Sequence, residues 1–420
     1  MSATATEKYL NSRVLYPSLI AESPPADLAL IVTIPCRDEP TAERTLASLR
    51  QCALPDGSVE VILLINGSEK DAPAVRTRNL HTYQTAQTFA ARYNSKKFAL
   101  YPLHFPDLPP KHAGVGLARK IAMDEALRRL TAVQNPQGII VCLDADSLVE
   151  TNYLTAINDF FVENENCRAA GIHYAHPTEG DVFSEKIYQA IVTYELHLRY
   201  YVHALQGAGM PTAVQTVGSS MCVRAEAYAA QGGMNRRKAG EDFYFIHKFT
   251  GYGHYGEITD TTVIPSPRIS RRVPFGTGRA VGEITDGKSF LTYPPEIFAD
   301  LRIFLTAADD LYKEYVPDKY PPSVRNFLEA EDFSQKLREI RGNTASLSNF
   351  HKRFFQWFDA FRAMKFVHFA RDNYYPTVTV ATAVKGWLQA HRPSVHTENL
   401  SESDLLFYFR EQDKNASGFV

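Results

Sequence analysis

Ile139-Ile-Val-Cys-Leu-Asp-Ala-Asp-Ser147 is an apolar run that ends abruptly in two carboxylates, Asp144 and Asp146, one residue apart. Unpaired charges inside a core are very costly, so the pair belongs where a buried strand leaves its sheet. Open α/β sheets gather their ligands at that edge. Two hard oxygen ligands at such a point suit Mg²⁺ or Mn²⁺, and a metal there could hold a diphosphate. The stretch reads as part of an enzyme.

Outward from it, strands and helices alternate. Leu28 to Pro35, Val59 to Ile65 and Phe98 to Leu103 read as buried strands. Helical spacing covers Thr41 to Cys52, Ala74 to Tyr93 and Val115 to Leu130 between them. Tyr153 to Phe161 and Val182 to Leu205 read as helices around a shorter strand near Arg168 to Tyr174. This alternation predicts an α/β fold, a doubly wound, mostly parallel sheet with right-handed crossovers. From Val214 the chain turns glycine-rich, and past about residue 290 it reads as helical, with Phe, Tyr and Trp spaced by three and four. The expected division is a polar N-terminal arm over 1–27, an α/β domain over 28–285 and a helical C-terminal region over 286–420.

Composition narrows the function. With 45 basic against 47 acidic residues, the balance argues against nucleic acid as a partner. Cysteines at 36, 52, 142, 167 and 222 make no metal spacing, and an odd count argues against a full disulfide framework. Cys36 and Cys142 read as small core residues. The N-terminus lacks a basic-then-apolar signal pattern, and no apolar run approaches the roughly 20 residues that span a bilayer. A cytoplasmic protein without a transmembrane segment is expected, with peripheral membrane contact left open.

Further polar clusters fall near strand ends and helix starts. Pro35-Cys-Arg-Asp-Glu39 follows the first strand and Asn66-Gly-Ser68 the second, which puts both on the same edge as Asp144 and Asp146. Taken singly, Asn-Gly is an ordinary turn and Arg37 with Glu39 an ordinary surface ion pair. Three polar tips at one edge instead form a pocket for a polar ligand. Lys111-His-Ala-Gly-Val-Gly-Leu-Ala-Arg-Lys120 opens a helix, where glycines would let backbone amides approach an anion and Lys111, Arg119 and Lys120 add positive charge. A flexible connector before a basic helix is the plainer alternative. Glu241 and Asp242 begin another helix, either as caps opposing its dipole or with one as a general base. Pro267-Arg-Ile-Ser-Arg-Arg-Val-Pro-Phe-Gly-Thr-Gly-Arg279 could clamp a phosphate or carboxylate, or be a solvated basic loop. His247 and His254 are candidate third ligands for a metal, each more simply a non-ligand histidine.

In order, Pro35-x-Arg37-x-Glu39, Asn66-Gly-Ser68, Gly116-x-x-Arg119, Asp144-x-Asp146 and Glu241-Asp242 resemble the nucleotide-sugar-dependent glycosyltransferases of family 2, with the GT-A fold. The resemblance covers roughly residues 28 to 285. It implies that Pro35, Arg37 and Glu39 line the nucleotide pocket, that Arg119 faces the diphosphate or base, and that Asp144 contacts the ribose or metal. Asp146 would bind a Mn²⁺ or Mg²⁺ ion bridging the diphosphate. Ser219 would lie beside the donor sugar, and the loop carrying Arg271 and Arg272 would close over donor or acceptor. Asn66 stands where the family usually has an aspartate that reads uracil, which leaves guanosine and other donors open. Asp242 would be the base, supported by Glu241, and an attack opposite the leaving group implies inversion.

Two alternatives stand beside this. One is a retaining GT-A enzyme acting on a small anionic acceptor such as glycerate or phosphoglycerate, which the Arg268, Arg271, Arg272 cluster would hold. The other is a silent sugar-nucleotide-binding scaffold. The acceptor of an active enzyme would be a carbohydrate, a lipid-linked sugar or a small molecule. Phe350, Phe354, Phe358, Phe361 and Phe369 fall near one helical face, either packed on the catalytic domain or another subunit or laid on a membrane.

Overall fold

The computed structural model describes residues 4–270, 272 and 276–416. Its chain begins with α1 (Ala5–Ser12), then alternates β1 (Leu28–Cys36), α2 (Ala42–Arg50), β2 (Ser58–Ser68), α3 (Pro73–Tyr93), β3 (Phe98–Leu108) and α4 (Val115–Ala132). There follow β4 (Ile139–Cys142), β5 (Leu148–Val149), α5 (Tyr153–Glu163), β6 (Ala169–Tyr174) and α6 (Glu185–Gly207). The sheet is completed by β7 (Met221–Arg224) and β8 (Tyr255–Ile264), with α7 (Ala225–Ala230), α8 (Glu241–Ile246) and α9 (Thr277–Thr285) around them.

The strand order β3-β2-β1-β4-β7-β6-β8-β5 carries the functional information. The chain builds outward from β1 through β2 to β3, all parallel, then returns to lay β4 parallel on the other side of β1. The order reverses between β1 and β4, and such switch points open a crevice at the carboxyl ends of the strands. Beyond β4 the sheet is mixed, since β7 pairs antiparallel with both β4 and β6, and β6 pairs parallel with β8. The expected doubly wound, mostly parallel sheet with a helical extension is the one formed.

Strand residues alternate between the two faces, as the two-residue period requires. Leu30, Val32 and Ile34 of β1 join Val59, Val61 and Leu63 of β2 in one core beneath α2, α3 and α5. Ile31, Ile62 and Leu64 face the other core with Leu117, Ile121 and Leu127 of α4. Both faces are covered, which is why these strands read as unbroken apolar runs. All five cysteines are free and buried.

The N-terminal arm is not merely polar chain. α1 docks on the second core, and Tyr9 donates a 2.7 Å hydrogen bond to Asp124 of α4. The C-terminal helices close a third core around α6, where Leu196, Tyr200 and Ala204 meet Phe304, Phe333, Phe354, Leu388 and Phe409. A buried ion network fixes this union. Glu195 of α6 accepts from Arg199 at 2.8 Å, from Arg410 at 2.8 and 2.7 Å, and stands 2.9 Å from His176 Nδ1.

Phe350, Phe354 and Phe358 lie inside that core, and the chain breaks between the helices Leu347–Trp357 and Ala360–Asn373. The aromatic face is thus spent on packing, with Phe361 alone of the five exposed among the large apolar side chains. Among the described residues no helix is long and apolar enough to cross a membrane.

Candidate active site

The register brings the polar strand tips to one edge. Thr33 of β1 pairs with Cys142 of β4, and Cys36 pairs with Ile65 of β2. Residues 37–39 and 144–146 therefore leave the sheet beside 66–68, the last residues of β2. Pro35 sits within β1 at no loss of pairing: Thr33 O accepts from Leu143 N on the β4 side, and Pro35 faces that same side just past the last β4 pair.

The loop after β1 is tightly held. Asp38 adopts a left-handed backbone (φ 54°), a conformation that aspartate tolerates better than most residues. Its amide donates to Asn79 Oδ1 at 2.8 Å, while Asn79 Nδ2 donates to Asn66 O at 3.1 Å, so one α3 side chain ties the tips of β1 and β2. Arg37 is paired with Asp71, which also accepts from Ser68 N at 2.9 Å. Asp71 escaped notice in the sequence, although an aspartate three residues after a strand-ending serine signals a turn that caps itself. Asn66 is buried at the tip of β2.

Arg119 is the hub. It rises from the second turn of α4, is 2 % exposed, and donates to Asp144 Oδ1 at 2.6 Å and to Gly218 O at 2.5 Å. Its Nε stands 3.5 Å from Glu241 Oε1. Antiparallel β7 is what delivers Gly218, Ser219 and Ser220 here, because Met221 pairs with Cys142. A Cβ on Gly218 would lie 2.3 Å from Arg119 Nη1, so only glycine leaves the guanidinium room. Gly240, at φ 70°, turns the chain into α8 and brings Glu241 and Asp242 to the same arginine. Burial pushes Glu241 up to about 7 against the pull of Arg119, with Asp242 adding to the rise. Asp242 is also raised, by burial first and by the Asp144 charge, although Arg119 opposes it. It accepts from Phe243 N at 2.7 Å.

A second arginine closes the front. Arg268 donates through Nε to Asp146 Oδ2 at 2.9 Å and pairs through Nη2 with Glu39. Arg272 Nη2 stands 3.2 Å from the same Glu39 oxygen. Glu39 is buried and also accepts from Thr41 Oγ1 at 2.6 Å. Burial pushes Asp146 up to about 6, with Arg268 opposing and Asp144 adding. Arg268 was legible only as one member of a basic loop; no local signal marks it over its neighbours. Arg271 lies outside the described residues.

Other expectations change. His254 immediately precedes β8, and its carbonyl accepts from Arg168 N at the start of β6. Tyr255 aligns through Ala169 and Val223 with Ile140, so His254 lies at the entry edge of the sheet. Asp144 lies at the exit edge, about 15 Å away along the strands. His254 is not a ligand to a metal at Asp144 and Asp146. His247 is half-buried, with its ring 4.5 Å from that of Phe243 and Nδ1 3.2 Å from Thr250 Oγ1. Among the described residues no group of three His, Cys, Asp or Glu side chains surrounds one cation position. Lys120 points away from the site, reaching Asp124 at 2.9 Å and Tyr9 at 2.7 Å. Gly116 admits backbone rather than an anion, since a Cβ there would lie 2.2 Å from Arg237 O.

Residues 139–389, more than half of the chain, match a model of glycosyl transferase family group 2. The chain belongs to this family. It is a glycosyltransferase, and the carboxylate edge, the Arg119 hub and the Glu241–Asp242 turn are the polar centre of the transferase. Among solved structures, residues 1–349 of TarS from S. aureus in complex with UDP-GlcNAc align at 14% identity, over 92% of the transferase and 88% of that chain, with a TM-score of 0.38. The same fragment with UDP aligns at 13% identity over the same shares, with a TM-score of 0.36. The longer TarS structure aligns at 14% identity over 92% of the transferase and 53% of that chain, with a TM-score of 0.33. Among curated proteins none matches the transferase.

Proposed function

We propose that the transferase moves a sugar from a nucleoside-diphosphate sugar to an acceptor hydroxyl with inversion, using Asp242 as the base. The observation that supports this is the convergence of Asp144 and Glu241 on Arg119, which brings the strand end carrying Asp144 and the turn carrying Glu241 and Asp242 to one guanidinium. Raised carboxyl groups are the expected form of a base working near neutral pH.

In this reading the Pro35–Glu39 loop and Asn66 face the nucleoside, and Ser219 lies beside the donor sugar. Asp144 and Asp146 keep side-chain exposures of 38% and 22% at the edge. Two accessible carboxylates completed by substrate phosphate oxygens suit Mg²⁺ or Mn²⁺, so the residues present fit such an ion. When bound, it supplies positive charge at the leaving diphosphate. Arg119 holds Asp144 in place, Arg268 stands ready at the same position, and Asp242 takes the proton of the attacking hydroxyl.

Arg268 and Arg272 are engaged by Glu39 and Asp146. Two of the three arginines that favoured a small anionic acceptor are thus already paired with carboxylates. The test has two steps. Thermal shift against UDP-, GDP- and dTDP-sugars with and without Mn²⁺ identifies the donor, and NMR of the anomeric proton of the product gives the stereochemistry. Retention at the anomeric carbon, or full activity of Asp242→Asn, would overturn the proposal.

A further inference from the structure

A second open cleft, of about 900 Å³, lies between the first turns of α6, the end of α9 and the start of the helix Glu402–Asn415. That volume is at the upper end of ligand-sized cavities, which run to about 1,000 Å³. Its lining mixes apolar walls, Tyr188, Val192 and Ile284 among them, with the polar side chains of Glu179, Glu185, Lys186, Gln189, Glu402 and Ser403. Three carboxylates against one ammonium leave it net negative.

The cleft is joined to the reaction centre by the seam of α6 and α9. Ala190, Ile191 and Val281 form the buried line of that seam, flanked by Ile187, Tyr194 and Ile284. At one end α9 meets the arginine loop, where Ser270 N donates to Gly278 O at 2.9 Å, two residues from Arg268. At the other end Ile284 and Thr285 line the cleft. The nine residues of α9 span about 13 Å at the usual helical rise. Along α6 the seam passes Tyr194, whose phenol is raised to about 12 by burial and by the nearby Asp242 charge.

We propose that this cleft binds the part of the acceptor remote from the reacting hydroxyl, and that the acceptor is a neutral polyhydroxylated chain, a glycan. The inference rests on the proposed transfer reaction at Asp242. Carboxylates accept hydrogen bonds from sugar hydroxyls and Gln189 can both donate and accept. Gln189 Nε2 already donates to Glu185 Oε1 at 3.1 Å, and Thr193 Oγ1 to Glu402, which fixes these acceptors in place. A phosphate- or carboxylate-bearing acceptor would meet like charge with a single lysine to offset it.

The test uses the full-length protein on an array of neutral and anionic glycans, beside two variants, Gln189→Trp to block the cleft and Glu185→Lys to reverse part of its charge. Both positions are exposed, so folding is expected to survive, and circular dichroism verifies it. Expected is binding to neutral glycans, weakened at least tenfold by Gln189→Trp, with the acceptor KM raised similarly and donor hydrolysis unchanged. Binding to anionic glycans alone, to no glycan, or undiminished in Gln189→Trp would overturn the proposal. Neutral-glycan binding that is lost in Gln189→Trp, in a protein that hydrolyses no donor, would overturn the transfer reading and leave the cleft assignment standing.

Discussion

Arg268 Nη2 stands 2.7 Å from Asp146 Oδ2, joining two residues 122 positions apart at the point where a divalent cation would be held. A protonated carboxyl does not bind metal, so affinity depends on the ionisation of Asp146. Mn²⁺ affinity, followed by electron paramagnetic resonance, is expected to be full above pH 6 and to weaken about tenfold per unit below the Asp146 value of about 6. Arg268 opposes the rise in that value. Arg268→Gln should therefore move the onset to higher pH, while at pH 8 the variant holds Mn²⁺ more tightly because no guanidinium competes. An onset unchanged in the variant would contradict this coupling.

Asp242→Asn is expected to lower kcat by about 10²–10⁴-fold with the fold intact by circular dichroism. A base must be ionised to act, so kcat falls as pH drops through its value. Since Asp242 is raised above the ordinary 3.8, the acid limb lies above that pH. Glu241→Gln removes a neighbouring negative charge and should shift the limb to lower pH. A limb that stays put would place the titration elsewhere.

Gly218→Ala puts a methyl group on the Arg119 guanidinium. Overpacking of this kind costs about 1–3 kcal/mol. The expected result is a lower midpoint in urea together with lost activity, because Arg119 cannot move without releasing Asp144 and Glu241. Wild-type activity in this variant would deny Arg119 its organising role.

Glu257 offers a test remote from the site. Burial, with the Asp413 charge adding, raises it from an ordinary 4.5 to about 7. The folded state thus favours the protonated form, and stability present below pH 4.5 declines as pH rises through 7. At 1.36 kcal/mol per unit the loss reaches about 3 kcal/mol. Glu257→Gln should match wild type at pH 4.5 and exceed it at pH 8.5 in urea unfolding. Equal stability at both pH values would refute this.

Tyr9→Phe tests the arm. The hydroxyl bonds Asp124 and receives a bond from Lys120, both buried. Leaving such partners short costs about 1–3 kcal/mol, and urea unfolding should show it. An unchanged midpoint would mean that the arm contributes little.

The sequence made the left half of the sheet legible because β1, β2 and β3 are buried on both faces and announce themselves as apolar runs. Their ends were underestimated: β2 continues to Ser68 and β3 to Leu108, since polar tips such as Asn66 still pair with Phe105. β7 and β8 were not seen in the glycine-rich region, because β7 has only four residues and β8 is interrupted by Glu257, Thr259 and Asp260. Asp144, Asp146, Arg119, Glu241 and Asp242 were found by their position after strands or at helix starts. Asp71 was not, and Arg268 was marked only within a basic loop, because its partners Asp146 and Glu39 are fixed by long-range topology. His254 was misjudged for the same reason, as residue type cannot tell which end of a strand a side chain occupies.

The burial of α6 among the C-terminal helices bears on how such enzymes can be rebuilt. Leu196, Tyr200 and Ala204 precede residue 285 in sequence, yet the core they join is built largely by helices beyond residue 290, where Tyr200 meets Phe298 and Tyr293. A chimaera cut near 285, meant to graft a new tail onto an old catalyst, would strip this helix of its sheath and leave Glu195 without Arg410. Exchange of specificity between relatives is better attempted by altering side chains along α6 than by swapping whole segments.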